Sequence, residues 1–480
     1  MKSAKANEFK FKENGDMKIS IKNLGVIKQA EFTLGELTII CGGNNTGKTY
    51  ATHATFGFLD YLKTNADFPV DKDVIDKLFS DGSASIALEP YIDHLQQHLT
   101  GASKRYSNLL HRVFAGNESR FEDAELRFEL EPNTQIMPAK VNIKYGSAEK
   151  SFLQIVTTEV GSDLEISLIV EKDSTDLPPR HFIQNMIGEG VALAILGDVI
   201  PKPFLASAER TGAAIFQREL DFTKNRLVEM LGDKSTKLHP VQFLSKFSGE
   251  YPIAVRKNVD FIRSLPDLTN KESFILKNHS EILDAFQDII GGEYTVNKDG
   301  EVQFIPNTNR RVKLALVESS SAVRSLLDVG FYLRHVATPG DLLMVDEPEL
   351  NLHPENQRRV ARLFARLVNV GIKVFITTHS DYIIKELNTL IMLNQGGKRL
   401  KTLAEREHYK DSDMLNSDKV KVYIAEEALI KLDGAQRRTR CQTLVQADID
   451  SKHGIEARSF DKTIEDMNRI QEEIVWGGDE

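Results

Sequence analysis

Eight consecutive residues have the types and the spacing needed to hold a polyphosphate. They fit the pattern G-x-x-x-x-G-K-[ST] and read Gly42, Gly43, Asn44, Asn45, Thr46, Gly47, Lys48 and Thr49. The glycines let backbone N–H groups turn inward and cradle phosphate oxygens. Lys48 would place a positive charge between the β- and γ-phosphates, and Thr49 would offer its hydroxyl to a magnesium ion. The run therefore predicts a nucleoside triphosphate site, with ATP and Mg²⁺ as the expected ligands.

The segments on both sides of this loop must position it. Residues 37–41 (LTIIC) have the pattern of a buried strand, and residues 50–56 (YATHATF) open an apolar-periodic helix. This is the strand–loop–helix order that a phosphate-binding loop requires. The predicted nucleotide-binding residues are Gly42, Asn44, Asn45, Thr46, Gly47, Lys48, Thr49 and Tyr50.

Two adjacent carboxylates far downstream could complete the site. Residues 341–348 (DLLMVDEP) form an apolar strand that ends in Asp346 and Glu347. Asp346 would hold Mg²⁺ through its water shell, and Glu347 could polarise the water that attacks the γ-phosphate. The alternative is a buried strand that ends in a solvated acidic turn. The intact phosphate loop favours the catalytic interpretation.

A further apolar strand is predicted over residues 373–378 (KVFITT), and it leads into His379 and Ser380. A lone histidine at a strand end is usually structural. Here it follows the strand at the place where a histidine could contact the γ-phosphate. We therefore include His379 with Glu347 among the predicted catalytic residues.

Together these motifs resemble ABC-type ATPases of the SMC/RecF/OLD branch. Residues 346–354 (DEPELNLHP) look like their Walker B motif and D-loop, and residues 377–380 (TTHS) look like their H-loop. Residues 17–28 (MKISIKNLGVIK) resemble the first strands of their heads. The resemblance implies ATP hydrolysis by heads that pair face to face, in a homodimer or higher homo-oligomer. Each active site would then join the phosphate loop of one head to the signature motif of the other.

The best candidate for that signature motif is residues 318–324 (ESSSAVR), which precede the Walker B strand and lead into a helix. The resemblance assigns the trans-acting role to Ser320, Ser321 and Ala322. Relatives usually have Ser-Ser-Gly at these positions. Ala322 in place of glycine leaves the backbone less free to approach the γ-phosphate.

Residues 204–212 (FLASAERTG) contain a second informative element. They resemble an Ala-Glu-Arg-x-Gly element of OLD-like ATPases encoded in bacterial defence loci, and the alternative is a charged turn. The resemblance extends to ATPase subunits of anti-phage systems such as Septu and PARIS. It implies a separately encoded effector, a nuclease or toxin, and a phage-encoded trigger. A RecF-like DNA-repair ATPase and an OLD-like nuclease remain as alternatives.

The predicted fold class is α/β: an ABC-type P-loop ATPase head with a mixed sheet and flanking helices, interrupted by a large helical and β insertion. A small C-terminal α+β extension follows. The expected spans are 1–65 for the first part of the head, 66–310 for the insertion, 311–400 for the second part, and 401–480 for the extension.

The insertion is predicted to contain helices over residues 71–117 and 218–280 and a hairpin over 294–305. Three strands, 125–130, 139–145 and 164–170, are expected to extend the antiparallel sheet of the head. In the extension we expect a strand pair and an amphipathic helix that carries Ile464, Met467, Ile470 and Ile474. This extension is too short for a complete nuclease domain of the Toprim kind, so nuclease activity is not expected.

The charge and composition restrict the kinds of partner that the sequence predicts. The net charge of −9 weakens any case for broad nucleic-acid binding, and DNA binding stays open because residues 398–401 and 437–440 are basic. The arginines of residues 358–366 are typical of a solvated face; they look more like a partner or dimer surface than a DNA groove. No apolar run of about eighteen residues predicts a membrane span. The N-terminus has no secretory signal pattern, and two cysteines favour a cytoplasmic protein.

Overall fold

A computed structural model describes residues 17–65, 68–131, 136–146, 151–158, 161–169, 177–197, 199–216, 251–456, 467 and 469–473. Its described residues fall into two compact units. The first contains the described residues within Met1–Ile19, Phe58–Tyr106 and Arg127–Lys202, and the second contains those within Ser20–Gly57, Ser107–Leu126 and Pro203–Glu480.

The strands are numbered in chain order. They are β1 Met17–Leu24, β2 Ile27–Leu34, β3 Leu37–Cys41, β4 Ser83–Ala87, β5 Glu125–Leu130, β6 Asn142–Gly146, β7 Ser151–Thr157, β8 Asp163–Leu168, β9 Pro203–Ala206, β10 Gly292–Val296, β11 Val302–Pro306, β12 Leu314–Ala315, β13 Leu342–Asp346, β14 Lys373–Thr378, β15 Val420–Lys431, β16 Arg438–Gln446, β17 Ile449–Asp450 and β18 Gly454–Ile455.

The α-helices follow the same order. They are α1 Lys48–Asn65, α2 Lys72–Asp81, α3 Glu89–Asp93, α4 Leu95–Ser107, α5 Leu110–Val113, α6 Arg180–Leu196, α7 Ile253–Leu268, α8 Phe274–Asn278, α9 Ser280–Ile290, α10 Ser321–Ser325, α11 Leu327–Phe331, α12 Pro354–Asn369, α13 Asp381–Leu393 and α14 Lys398–Arg406. Residues 210–216 are also helical.

The central sheet of the second unit positions the predicted site. Its strand order is β16-β15-β3-β14-β13-β9. From β15 to β9 all neighbours are parallel, whereas β16 runs antiparallel to β15. Every residue of β3 and β13 is buried, as expected for parallel strands that are covered on both faces. Because β14 lies between β3 and β13, the three carboxyl ends that carry the motifs meet at one edge.

Helices α9, α12 and α13 supply much of the core beside this sheet. Apolar side chains of α12 recur at helical spacing, and they pack with those of α13 and of strands β3, β13 and β14 in one hydrophobic cluster. Pro354 begins α12 at the first helical position, where its missing N–H costs no hydrogen bond. The described helices and mixed sheet confirm the predicted α/β class.

The first unit contains a separate antiparallel sheet with the order β4-β8-β7-β6. The prediction that three strands extend one antiparallel sheet of the head is therefore wrong in part. Strand β5 does lie beside β1, whereas β6 and β8 belong to this separate sheet. Alternation shows that a strand has one buried face, but it does not show which strand will pair with it.

Strand β4 lies inside the stretch predicted to be helical, so that prediction is wrong for these five residues. Ala84 and Ile86 are buried while Ser83, Ser85 and Ala87 are exposed, which is the period of a strand. In the sequence this alternation is hard to recognise, because four of the five residues are small alanines or serines on either face and only Ile86 is strongly apolar. The pairing of β4 with β8 decides the conformation of this segment.

The predicted hairpin is confirmed as β10 and β11. In the predicted helical stretch 218–280, residues 218–250 lie outside the described residues, and the rest contains α7 and α8. Residues 467 and 469–473 are helical, whereas 464 and 474 are not described. The four domain spans stay a prediction.

Candidate active site

The phosphate-binding loop connects β3 to α1 through backbone conformations that favour glycine. Gly42 has φ 142°, Gly47 has φ 98° and Asn45 has φ 61°. A Cβ atom on Gly42 would lie 2.6 Å from the carbonyl oxygen of Ala425, and one on Gly47 would lie 2.5 Å from Cγ1 of Ile27. Both positions therefore require glycine for space as well as for φ.

The remaining loop residues face outward. Gly43, Asn44, Asn45 and Thr49 are exposed, and Thr46 is half-buried with its hydroxyl donating to the Gly43 carbonyl at 2.9 Å. The backbone N–H groups of this rim could therefore reach phosphate oxygens.

Lys48 closes back over the loop that precedes it. Its Nζ donates to the carbonyl oxygens of Gly42 at 3.0 Å and Gly43 at 2.7 Å, and the residue is only 6% exposed. Burial lowers the pKa of Lys48 from its ordinary value, while three nearby carboxylates act in the opposite direction. The ammonium group is thus held over the loop, where its charge would meet a polyphosphate.

Asp346 ends β13 and is fully buried beside this loop. The hydroxyl of Thr377 donates to its Oδ1, and Nε2 of His53 lies 3.5 Å from its Oδ2. Burial raises the pKa of Asp346, but contacts with His53, Thr377 and Arg210 outweigh it and leave the pKa below its usual value. The carboxylate is therefore ionised at neutral pH and can serve as an oxygen ligand for a cation.

Glu347 has the left-handed φ of 50°, which is uncommon for a residue with a side chain. Its N–H donates to the carbonyl oxygen of Thr377 at 3.1 Å, so the turn is tied to the end of β14. Its Oε1 lies 3.8 Å from Nδ1 of His379, and its side chain is 26% exposed. The carboxylate thus remains accessible to water at the edge where the three motifs meet.

A second carboxylate, Glu349, holds His379 in place. Its Oε1 accepts hydrogen bonds from the His379 N–H at 2.8 Å and from the Thr378 hydroxyl at 2.9 Å, and it lies 3.2 Å from the His379 Nδ1. Burial raises the pKa of Glu349. This residue was not among the predicted site residues, although the acidic spacing of residues 346–349 (DEPE) could have suggested it.

Arg210 is fully buried and, among the described residues, donates to four backbone carbonyl groups. Its Nη1 donates to Asp346 at 2.6 Å and to Ser207 at 2.7 Å, its Nη2 donates to Glu347 at 3.0 Å, and its Nε donates to Ser325 at 2.5 Å. The element that contains Arg210 therefore acts as more than a charged turn. It fastens the end of β13 to helix α10.

The signature candidate lies at the start of α10. The hydroxyl of Ser320 accepts from the N–H of Val323 at 3.3 Å and caps the helix, while Ser321 is exposed and Ala322 is half-buried. Ser325 in the same helix donates its hydroxyl to the Leu350 carbonyl at 3.1 Å. The helix is thus joined to the segment that follows the Walker B motif.

An aromatic group lies beside the loop. The ring of Tyr50 lies 4.9 Å from that of Phe114, measured between centroids, and it covers Gly25, where a Cβ would lie 2.4 Å from the Tyr50 ring. The ring of His53 is nearly parallel to Phe114, at 17° and 6.4 Å. His53 was not predicted to belong to the site, because a lone histidine in an apolar helix has the pattern of a core residue.

These residues fit the ligands that the loop implies. A triphosphate could lie along the loop rim and meet Lys48, and a divalent cation could be held by the hydroxyl of Thr49 and by Asp346. The buried Oδ2 of Asp346 has no hydrogen-bond partner within the described part of the chain, so it is available to a cation. Over those same residues, no group of three or more His, Cys, Asp or Glu side chains forms a metal cluster.

The arginines of α12 do not present a free cationic face. Arg358 and Arg362 pair with the buried Glu386 at 2.7 and 2.5 Å, and Arg366 pairs with the buried Asp413 at 2.6 Å. The positive charge of these three arginines is thus paired with carboxylates inside the fold. This weakens the expected partner or dimer surface at these positions.

A known protein family matches the part of the chain that contains β13. The family described as AAA ATPase domain matches residues 213–384, which include β13 and β14 but not the phosphate-binding loop. Among curated proteins none matches the sequence. The match and the site geometry support an ATP-binding ATPase.

Several solved structures are distantly similar. An SMC head bound to the C-terminal winged-helix domain of ScpA has 14% identity and a TM-score of 0.35, covering 91% of this chain and 98% of that one. The SMC head domain from Thermotoga maritima has 10% identity and a TM-score of 0.29, covering 91% of this chain and 100% of that one. An Smc head domain with an extended coiled coil, bound to the C-terminal domain of ScpA derived from Pyrococcus furiosus, has 12% identity and a TM-score of 0.33. The match covers 95% of this chain and 99% of that one.

No helix within the described ranges is both long and apolar enough to cross a membrane.

Proposed function

We propose that this chain binds ATP with Mg²⁺ on the loop of residues 42–49 and hydrolyses it. The observation that carries the proposal is the edge of the central sheet, where the loop with Lys48 follows β3, and where β13 ends in Asp346 and is followed by Glu347. The strand between them delivers His379 to the same edge.

In this reaction a water oxygen attacks the γ-phosphorus, and the bond to the bridging oxygen of ADP breaks. Glu347 accepts the proton that the water loses, and phosphate and ADP are the products. Lys48 neutralises negative charge on the β- and γ-phosphates, and His379 contacts the γ-phosphate from the end of β14. Mg²⁺, when bound by Thr49 and Asp346, supplies further charge neutralisation at the phosphate oxygens.

Binding of a fluorescent ATP analogue tests the nucleotide site. Lys48→Ala removes the ammonium group over the loop, and its affinity should fall by a few kcal/mol, as for other charge-assisted contacts. Lys28→Ala, on the exposed face of β2, serves as the matched control and should bind like the wild type. Equal binding by Lys48→Ala and Lys28→Ala would reject the site.

We also propose that the active site is completed by a second head in a homodimer. The serines Ser320 and Ser321 would contact the γ-phosphate that is bound to the partner. The exposure of Ser321 at the beginning of α10 supports this role, because its hydroxyl is accessible to a phosphate that another chain holds.

Mixing two inactive variants tests the shared site. A heterodimer of Lys48→Ala and Ser321→Arg has one site with both lesions and one site with neither. The mixture should therefore regain part of the ATPase activity that each variant lacks. Activity that stays at the level of the separate variants, in a mixture where heterodimers are shown to form, would contradict a composite site.

At the level of the cell, we propose that ATP-driven head pairing controls a separately encoded effector, a nuclease or toxin, in anti-phage defence. The support is the resemblance of residues 204–212 to an element of defence ATPases, together with the central position of Arg210 within the site. In this scheme a phage-encoded trigger changes the ATP-dependent state of the heads and releases or activates the effector.

Phage plating on cells that carry this gene and its neighbouring reading frame tests the defence role. The wild type should reduce plating, and Lys48→Ala should abolish the reduction while Lys28→Ala retains it. Equal plating with and without the wild-type pair, across a panel of phages, would argue against a defence role.

A further inference from the structure

His53 lies on the phosphate-loop helix and faces the Walker B carboxylate. It follows Thr49 by four residues, about one helical turn, so both side chains project from the same face of α1. Its Nε2 lies 3.5 Å from Oδ2 of Asp346, and the two residues are 4% and 1% exposed. The helix thus brings an imidazole nitrogen to the predicted cation site.

Neither of the two facing atoms has a hydrogen-bond partner within the described ranges. The other carboxylate oxygen of Asp346 is occupied by the hydroxyl of Thr377, which fixes the orientation of the carboxylate. The imidazole ring lies nearly parallel to the ring of Phe114, with 6.4 Å between their centroids. The Nε2 atom of His53 and the Oδ2 atom of Asp346 therefore face each other, and each is a possible ligand for a cation.

The distance between these atoms is longer than a normal hydrogen bond, which spans about 2.7–3.2 Å. Two ligand atoms that each lie ~2.1 Å from one cation are roughly 3.0 Å apart at the right angle of an octahedral site. The observed 3.5 Å is longer than this value by roughly 0.5 Å. One divalent cation could thus contact both atoms if the two side chains moved slightly towards each other.

We propose that His53 is a direct nitrogen ligand of the divalent cation at this site, together with Asp346, and that the site prefers Mn²⁺ to Mg²⁺. Imidazole nitrogen is a poor ligand for Mg²⁺, which takes oxygen donors. Mn²⁺ also favours oxygen ligands, but as a first-row transition metal it accepts an imidazole nitrogen beside them. The role of this cation in ATP chemistry rests on the proposed function. Cation binding itself does not, and it is measured without nucleotide.

Electron paramagnetic resonance of the full-length protein with Mn²⁺ alone tests the assignment. The loss of the free-ion signal on titration gives the affinity, and pulsed spectra detect ¹⁴N nuclei bound directly to Mn²⁺. The wild type should bind Mn²⁺ with ¹⁴N modulation from one imidazole, and Mg²⁺ should compete weakly. His53→Phe keeps a ring beside Phe114 but has no nitrogen; it should lose the modulation and bind Mn²⁺ at least about tenfold more weakly.

His453→Gln is the matched control, because His453 also faces a carboxylate, Asp450, but at 2.9 Å on the exposed surface. It should leave both readouts unchanged. If His53→Phe does not fold, His53→Gln takes its place, since its amide can keep an oxygen contact but not the imidazole signal. Absence of ¹⁴N modulation in the wild type, or equal Mn²⁺ affinity in the His53 variant, would overturn the proposal.

The two proposals can fail separately. A wild type that shows the imidazole signal but binds no ATP analogue would refute the ATPase and leave the cation site in place. A wild type that binds and hydrolyses ATP without ¹⁴N modulation would refute the nitrogen ligand alone.

Discussion

Asp328, on the helix α11 that follows the signature candidate, should make the stability of this protein depend on pH. Its side chain is buried, and neither carboxylate oxygen has a hydrogen-bond partner among the residues described. Burial raises the pKa of Asp328 from 3.8 to about 7, against the opposing influence of the Arg210 charge. The folded protein therefore holds a proton on Asp328 under conditions where the unfolded chain has lost it.

The sign and the size of the effect follow from this shift. Between the unfolded and folded pKa values the folded state binds more protons, so stability falls as pH rises through this range and levels off above the folded pKa. Each pKa unit corresponds to about 1.4 kcal/mol, so the whole shift is worth on the order of 4 kcal/mol. From about pH 6 to about pH 8 this group alone should lower the free energy of unfolding by about 1.4 kcal/mol.

Asp328→Asn removes the titration and keeps the shape of the side chain. Urea unfolding midpoints, followed by circular dichroism at both pH values, should shift less with pH in the variant than in the wild type. Asp288→Asn, on the exposed face of α9, should retain the wild-type dependence. If Asp328→Asn and the wild type change equally with pH, the carboxyl group is not buried in its neutral form and the reasoning fails.

Two further predictions concern the geometry of the site. Arg210→Lys cannot reproduce the planar fork of guanidinium donors, so the backbone at Asp346 and Glu347 should shift. ATP turnover should therefore fall by about 10–100-fold, while affinity for an ATP analogue should stay close to that of the wild type. Unchanged turnover in a steady-state phosphate-release assay would disprove this positioning role. Gly47→Ala should destabilise the fold by about 1–3 kcal/mol and weaken ATP binding, since its Cβ would meet Ile27 at a left-handed φ. In thermal unfolding, Gly43→Ala is the control, because its nearest neighbour would be 3.9 Å away, and an equal loss in both variants would contradict the steric account.

Much of the candidate active site at the edge of the central sheet could be predicted from local sequence. Strands β3, β13 and β14 are short apolar runs, and each is followed by a polar motif with a chemical reason for its spacing. The roles of the three motifs assign Lys48, Asp346 and His379 to one nucleotide site, and β3, β13 and β14 end at one edge of the central sheet. The structure places them there.

Pairing between distant segments could not be predicted in this way. Strand β15 was expected in a C-terminal extension, yet it lies beside β3 in the central sheet, with Val422 opposite Ile39. Its first residues are buried and apolar, but nothing in their order identifies the neighbouring strand. The same limit explains the arginines of α12, whose carboxylate partners Glu386 and Asp413 lie on separate segments.

The contributions of His53 and Arg210 also depend on the fold. A histidine in the helix after a phosphate loop carries no distinctive local pattern, and the element that contains Arg210 does not indicate which groups this arginine contacts. Their roles become visible only when α1 and the helical residues 210–216 pack beside the end of β13, which brings both side chains to Asp346.

The central claim is that Glu347 is the base of an ATP-hydrolysing site, and the most direct test compares binding and turnover in Glu347→Gln. The amide cannot accept a proton from the attacking water, so turnover should fall nearly to zero while ATP and Mg²⁺ still bind. Paired heads should then accumulate with ATP, as seen by a mass increase in solution. Hydrolysis at the parental rate by this variant would contradict the account and would make His379 the first residue to examine as the base.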